Sequence, residues 1–244
     1  MAIASPLFSA LVLATIALSA PTSMPSIESR DSPMIDPSTF AANSSFDVAA
    51  IYAAAIAANK TKVASYATTS TQDHFSTIYA DWQHLEHVSV FHFMADMDID
   101  CDGTDYDCAG NSGGDSETSF GALDARKVPW FVLPETLQKQ EKDAVKDNAL
   151  GAIICDGKMF YAIFGDQNGA TPQVIGEGSL LLGHACFPKD RITGNNRHAQ
   201  RDVAYLVFGN QPLKPTPDGS TIDISALKKL GDQQVKLLVQ DLQL

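Results

Sequence analysis

Two carboxylates are distinguished by their settings. Asp166 stands at the exit of a β-prone run, in Phe164-Gly165-Asp166-Gln167-Asn168-Gly169, where a strand-end loop can project a functional group into a cleft. Glu177 follows eleven residues later, between Gly176 and Gly178 and among apolar neighbours. A carboxyl in apolar surroundings that faces other acids has its pKa raised by desolvation and by like charge, which suits a general acid. Glycosidic hydrolysis needs two carboxyls in contrasting surroundings, one to protonate the leaving oxygen and one to activate water or attack directly. On these residues alone, the reading in which both merely hold turns stays open.

The second concentration of chemistry is the stretch Asp96–Asp107, with six aspartates in twelve residues, continued by Asp115 and Glu117. Asp98, Asp100, Asp102 and Gly103 match the opening of an EF-hand calcium loop, but Ala109 stands where a bidentate Glu is required, so no metal site of that type is expected. Two readings remain. Asp96, Asp98, Asp100 and Asp102 form an acidic subsite for a positively charged ligand, or the run is a solvated surface loop clipped by a disulfide. In an extended segment the four would point to one side and Cys101 to the other. His84 and His87 have the spacing of a metal pair but lack a third ligand, and no nucleophile elbow or phosphate-binding glycine loop is present.

The formal charge of −12 is localised. Twelve acids and no Lys or Arg lie between Lys62 and Arg126, while the other 17 acids are matched by 17 bases. Such a stretch repels a phosphate backbone, which excludes nucleic acid as a partner, and attracts cations. Residues 1–19 read as a secretory signal peptide: the apolar run Leu7–Leu18 precedes small residues and is too short for a span of about twenty residues. No later stretch reaches that length, so the expectation is a secreted, extracellular protein with no membrane anchor. In that compartment the four cysteines suggest two disulfides, Cys101 with Cys108 and Cys155 with Cys186, the second stabilising by roughly 3 kcal/mol. Asn43 and Asn59 open glycosylation sequons.

Residues 20–45, with Pro21, Pro25, Pro33 and Pro37, read as a flexible leader or propeptide, and residues 46–244 as one domain. Ser45 is expected to cap a helix over 46–58, with Asp47 in its first turn, and a second helix is expected over 71–82. From Val88 the apolar period becomes two. Runs 88–93, 128–133 and 203–208 read as strands, and 151–165 reads as a hairpin turning at Asp156-Gly157. A short helix over 225–230 is expected to stop at Gly231, with 235–239 either strand or further helix. These elements predict a mainly β fold with N-terminal helices, built on a small closed β-barrel.

The blocks ADMDIDCDG (95–103), GDSETSF (114–120), CDGKMFYAIFGDQNG (155–169), GEGSLLL (176–182) and CFP (186–188) resemble the secreted fungal chitosanases of glycoside hydrolase family 75. That resemblance covers about residues 88–210. It implies endo-cleavage of the β-1,4 links of chitosan with inversion and no cofactor, by two essential carboxyls that fall at Asp166 and Glu177. Glu177 is then the general acid and Asp166 the general base, about 6.5–9.5 Å apart. Because chitosan is a polycation at mildly acidic pH, Asp96, Asp98, Asp100 and Asp102 become ammonium-binding positions. Gly178 departs from the family pattern, which has a small residue such as Ala there. A six-stranded double-psi barrel is the fold expected by analogy. The enzyme is expected to act as a monomer. A noncatalytic polycation-binding module and a glycosidase acting on a neutral β-1,4-glucan are the competing readings.

Overall fold

Beyond Met1, the computed structural model describes residues 34–104 and 113–244; the expected signal peptide, most of the leader and Cys108 lie outside them. Eight strands form one sheet: β1 (Lys62–Ala67), β2 (Phe75–Trp82), β3 (Val90–Asp100), β4 (Trp130–Pro134), β5 (Ala149–Cys155), β6 (Lys158–Asn168), β7 (Glu177–Ser179) and β8 (His198–Pro212). Their order is β1-β2-β3-β7-β4-β6-β5-β8, and β3 also pairs with β8. The last six therefore close into a barrel without free edges, the small closed barrel expected, with β1 and β2 appended outside β3. Two neighbouring pairs, β3–β7 and β4–β6, run parallel; the other barrel pairs are antiparallel.

The barrel is filled by aromatic side chains. Phe93 and Tyr205 stack at 4.6 Å between centroids, and Phe131 and Phe164 lie in the same buried cluster. The hairpin turns where expected. Asp156 and Gly157 both take positive φ, 46° and 69°, as a two-residue turn between twisted strands requires.

Four local expectations differ from the structure. The second helix, expected over 71–82, is strand β2 instead, because its residues alternate in burial with period two and satisfy their backbone against β1 and β3. The first helix, α1 (Val48–Ala57), is capped by Asp47 rather than Ser45. The Asp47 carboxylate accepts from Ala50 N at 2.9 Å, while Ser45 N is engaged by the Asn43 side chain. Residues 34–45, assigned to a flexible leader, are packed on the barrel: Phe40 is fully buried against Phe160, and Ala42 N donates to Met159 O. Between α1 and the C-terminus, α2 (Glu135–Gln140) and α3 (Leu180–Cys186) are further short helices.

The fourth difference is the C-terminal helix α4 (Ile224–Leu242), which runs through Gly231 instead of stopping there. A Cβ at residue 231 would lie 2.4 Å from the Tyr161 ring, so this glycine lets the helix approach the barrel and is not a cap. Gly231→Ala is expected to lower stability by about 1–2 kcal/mol in urea unfolding, because an overpacking cost near the upper end of about 1–3 kcal/mol outweighs the roughly 1 kcal/mol gained in helix propensity. An unchanged unfolding midpoint would mean that the ring yields freely.

Cys155 and Cys186 form the expected disulfide, tying β5 to the end of α3 across 31 residues. Cys101 is also disulfide-bonded; its expected partner Cys108 lies outside the described residues. Asn43 and Asn59 are both on the surface. Among the described residues no helix is long and apolar enough to cross a membrane.

Candidate active site

The mouth of the barrel at the ends of β3 and β6 gathers the carboxylates. Asp166 lies near the end of β6, opposite Val132 of β4, and Glu177 opens β7, whose Gly178 pairs with Phe131 of the same β4. One strand thus separates the two residues, which sets their backbones about two strand spacings, roughly 10 Å, apart. On its other side β7 pairs with β3, placing Glu177 beside Asp98 and Ser179 beside Asp100. The neighbouring Gly176 has φ +105°, and a Cβ there would meet Asp96 Oδ1 at 2.6 Å; only glycine brings the chain this close to β3.

The two carboxyls have contrasting surroundings. Burial, and then the negative charge of Asp100, push the Glu177 pKa up to about 8, against a single opposing hydrogen bond from Asn168 Nδ2 to Oε2 at 2.9 Å. Burial raises Asp166 too, but its Oδ1 accepts from Ser119 N at 2.7 Å, Ser119 Oγ at 2.6 Å and Gln167 N at 2.7 Å, all of which favour the charged form. One group is therefore held neutral and the other is supplied with donors.

The aspartate run does not form a single row. Asp96 is 1% exposed and lies with Asp98 beneath Arg197, whose Nη1 is 3.5 Å from Asp98 Oδ2 and 3.9 Å from Asp96 Oδ2. Burial raises Asp96 to about 7 and raises Asp98 as well. Asp100 and Asp102 instead join Asp166: each of the three offers an oxygen within 4.8 Å of the others. Asp100 Oδ2 accepts from Trp130 Nε1 at 2.8 Å and Oδ1 from Asp102 N at 3.0 Å, while burial, and then Asp166, push its pKa up to about 7. Asp102 Oδ1 is taken by Asp115 N. The spacing of these three oxygens would suit a cation, yet each carboxylate already accepts protein hydrogen bonds.

A groove of about 800 Å³ opens over this cluster, lined by Asp102, Asp115, Glu117, Ser119, Asp166 and Asn168 among others. Four acids among its lining residues, Asp102, Asp115, Glu117 and Asp166, make it a negative cleft. The sequence reading did not single out Ser119, Asn168, Trp130 or Arg197. Ser119 and Asn168 do lie inside the GDSETSF and GDQNG blocks, but nothing local marks Trp130 or Arg197, which reach the site from β4 and from the loop before β8.

Residues 97–238 match the family described as fungal chitosanase of glycosyl hydrolase group 75. The chain belongs to this family. Its relatives include endo-chitosanase C of Aspergillus oryzae, 44% identical over 214 residues, which cover 84% of this chain and 55% of that protein. Endo-chitosanase B of Aspergillus oryzae and an endo-chitosanase of Aspergillus fumigatus are each 30% identical, over 161 and 164 residues that cover 57% of this chain and 66% and 67% of theirs. The chain thus spans about half the length of the endo-chitosanase C it matches. The family match begins inside β3, so β1 and β2 precede it.

Proposed function

We propose that this chain hydrolyses the β-1,4 linkages of chitosan from within the polymer, with inversion at the anomeric carbon. Glu177 serves as general acid and Asp166 as general base. The observation that carries the reading is the contrast at one end of the barrel between Glu177, a carboxyl held neutral and bonded to the groove-lining Asn168, and Asp166, a groove carboxyl surrounded by donors. At mildly acidic pH, Glu177 keeps its proton and chitosan carries ammonium groups, so the groove attracts the polymer while the acid is ready to act.

In the reaction, the Glu177 proton passes to the glycosidic oxygen as the bond to C1 breaks. Water attacks C1 from the opposite face, and its proton goes to Asp166. Glu177 is left ionised and Asp166 protonated; exchange with solvent restores both. Of the close pair Asp100–Asp166 the proton resides on Asp100, whose oxygens each accept only one hydrogen bond, so the charge stays on Asp166 where a base needs it; Glu177 holds its own proton chiefly because it is buried. Asp102, Asp115 and Glu117 line the groove as ammonium-binding groups, while Asp98 and the buried Asp96 are engaged by Arg197. We propose too that it acts outside the cell and as a monomer; the Cys155–Cys186 disulfide supports the first of these.

The test is to incubate the protein with chitosan, chitin and carboxymethylcellulose, size the products and follow the new reducing ends by NMR. Chitosan is expected to fall to oligomers of intermediate length, with the α-anomer appearing first. Release of monomer alone, or cleavage of carboxymethylcellulose in preference to chitosan, would overturn the assignment; the β-anomer appearing first would overturn inversion.

A further inference from the structure

The groove over Asp166 does not end at the barrel. It meets a second hollow of about 590 Å³, with which it shares Gly169 and Ala170. The ridge between the two thus carries no side chain larger than a methyl group, and a Cβ on Gly169 would meet nothing within 4 Å. Tyr66 and Phe75 of the appended β1–β2 pair line this hollow, together with Glu135, Thr136 and Gln173.

The walls are held in place from both sides. The Tyr66 hydroxyl bonds the Thr136 hydroxyl at 3.0 Å, and Gln173 Oε1 accepts from Thr136 Oγ1 at 2.6 Å and from Thr136 N at 3.2 Å. Ala67 pairs with Val174 and accepts from Ile175 N at 3.0 Å, joining β1 to the segment that leads into Glu177. Phe75 is fixed through its carbonyl, which accepts from Arg201 Nη1 at 3.0 Å, yet it is 54% exposed. Among the described residues only Ile56 joins it as a large apolar side chain more than half exposed, the terminal Met1 aside. An exposed aromatic ring at the rim of a polar groove presents a flat apolar surface beside hydrogen-bonding groups. A pyranose ring has the matching character, with C–H groups on its face and hydroxyls at its edge.

We propose that this hollow is a further sugar subsite, in which Phe75 packs against the face of a hexosamine ring in the part of a chitosan chain that runs past Gly169 and Ala170. The inference rests on the hydrolytic reading above and extends it. It assigns to β1 and β2, which lie before the family match, the task of lengthening the cleft.

The experiment compares the wild type with Phe75→Ala and Phe75→Trp on a ladder of chitosan oligomers and on polymer, with KM and kcat measured separately. Phe75→Ala is expected to increase the ratio of KM for long chains to KM for short ones about 5- to 10-fold while kcat on polymer changes little, and Phe75→Trp to restore the wild-type ratio. A ratio unchanged in Phe75→Ala, or a loss equal in both variants and at all lengths, overturns the subsite while leaving hydrolysis in place. A wild type inert on every length overturns the hydrolytic reading and the subsite with it.

Discussion

Glu177→Gln is expected to reduce turnover on chitosan at least about 100-fold, the usual scale for loss of a general acid, while making the protein more stable at pH 8. The first effect follows from removing the one proton positioned for the leaving oxygen; the rate of viscosity loss measures it. The second follows from the sign of the pKa shift. The Glu177 carboxyl titrates near 4.5 ordinarily and near 8 in the folded site, so between those values the folded protein holds a proton that the unfolded chain has released. Folding stability therefore falls as pH rises across that window, and Asp100 and Asp96, both raised to about 7, add to the fall. Glutamine cannot ionise, and its oxygen can still accept from Asn168. The melting temperature of the variant should exceed that of the wild type at pH 8 and converge with it near pH 4. A wild-type melting temperature that rises from pH 5 to 8 would contradict the cluster, and near-normal viscosity loss by the variant would remove Glu177 from the mechanism.

Asp166→Asn is expected to cost a similar factor, at least about 100-fold in kcat, with a much smaller change in KM. The fold should tolerate it. The amide oxygen can keep the three hydrogen bonds from Ser119 N, Ser119 Oγ and Gln167 N, which leaves the NH2 group facing the groove where a base is required. Counting reducing ends under substrate saturation measures the loss directly. Retained turnover with a raised KM would make Asp166 an ammonium-binding group, and the base would have to be sought in Asp100 or Asp102, the two carboxylates within 4.8 Å of it.

Short-range chemistry was readable along the chain. Asp156-Gly157 carries its turn in the residue types themselves, because both must take positive φ. The unbroken apolar runs of 203–208 and of β5 follow from strands buried on both faces. The span 71–82 misled because its few apolar positions satisfy both periods; pairing with β1 and β3 decided in favour of the strand. Gly231 misled in the opposite direction, since a glycine that ends a helix and a glycine that admits a neighbouring ring look alike until Tyr161 is in place.

Five of the six barrel strands, the favoured pairing Cys155–Cys186, the localised negative charge and the two blocks that hold Asp166 and Glu177 were legible in the residues; β7, only three residues long, was not. Only the tertiary structure decided how the aspartate run divides. Asp96 and Asp98 meet Arg197 across roughly 100 residues of chain, and Asp100 and Asp102 meet Asp166 across more than 60. The protonation of a carboxyl depends on what surrounds it within a few ångströms, and for these residues that environment comes from β4, β6, β7 and the loop before β8, none of which is adjacent in the chain.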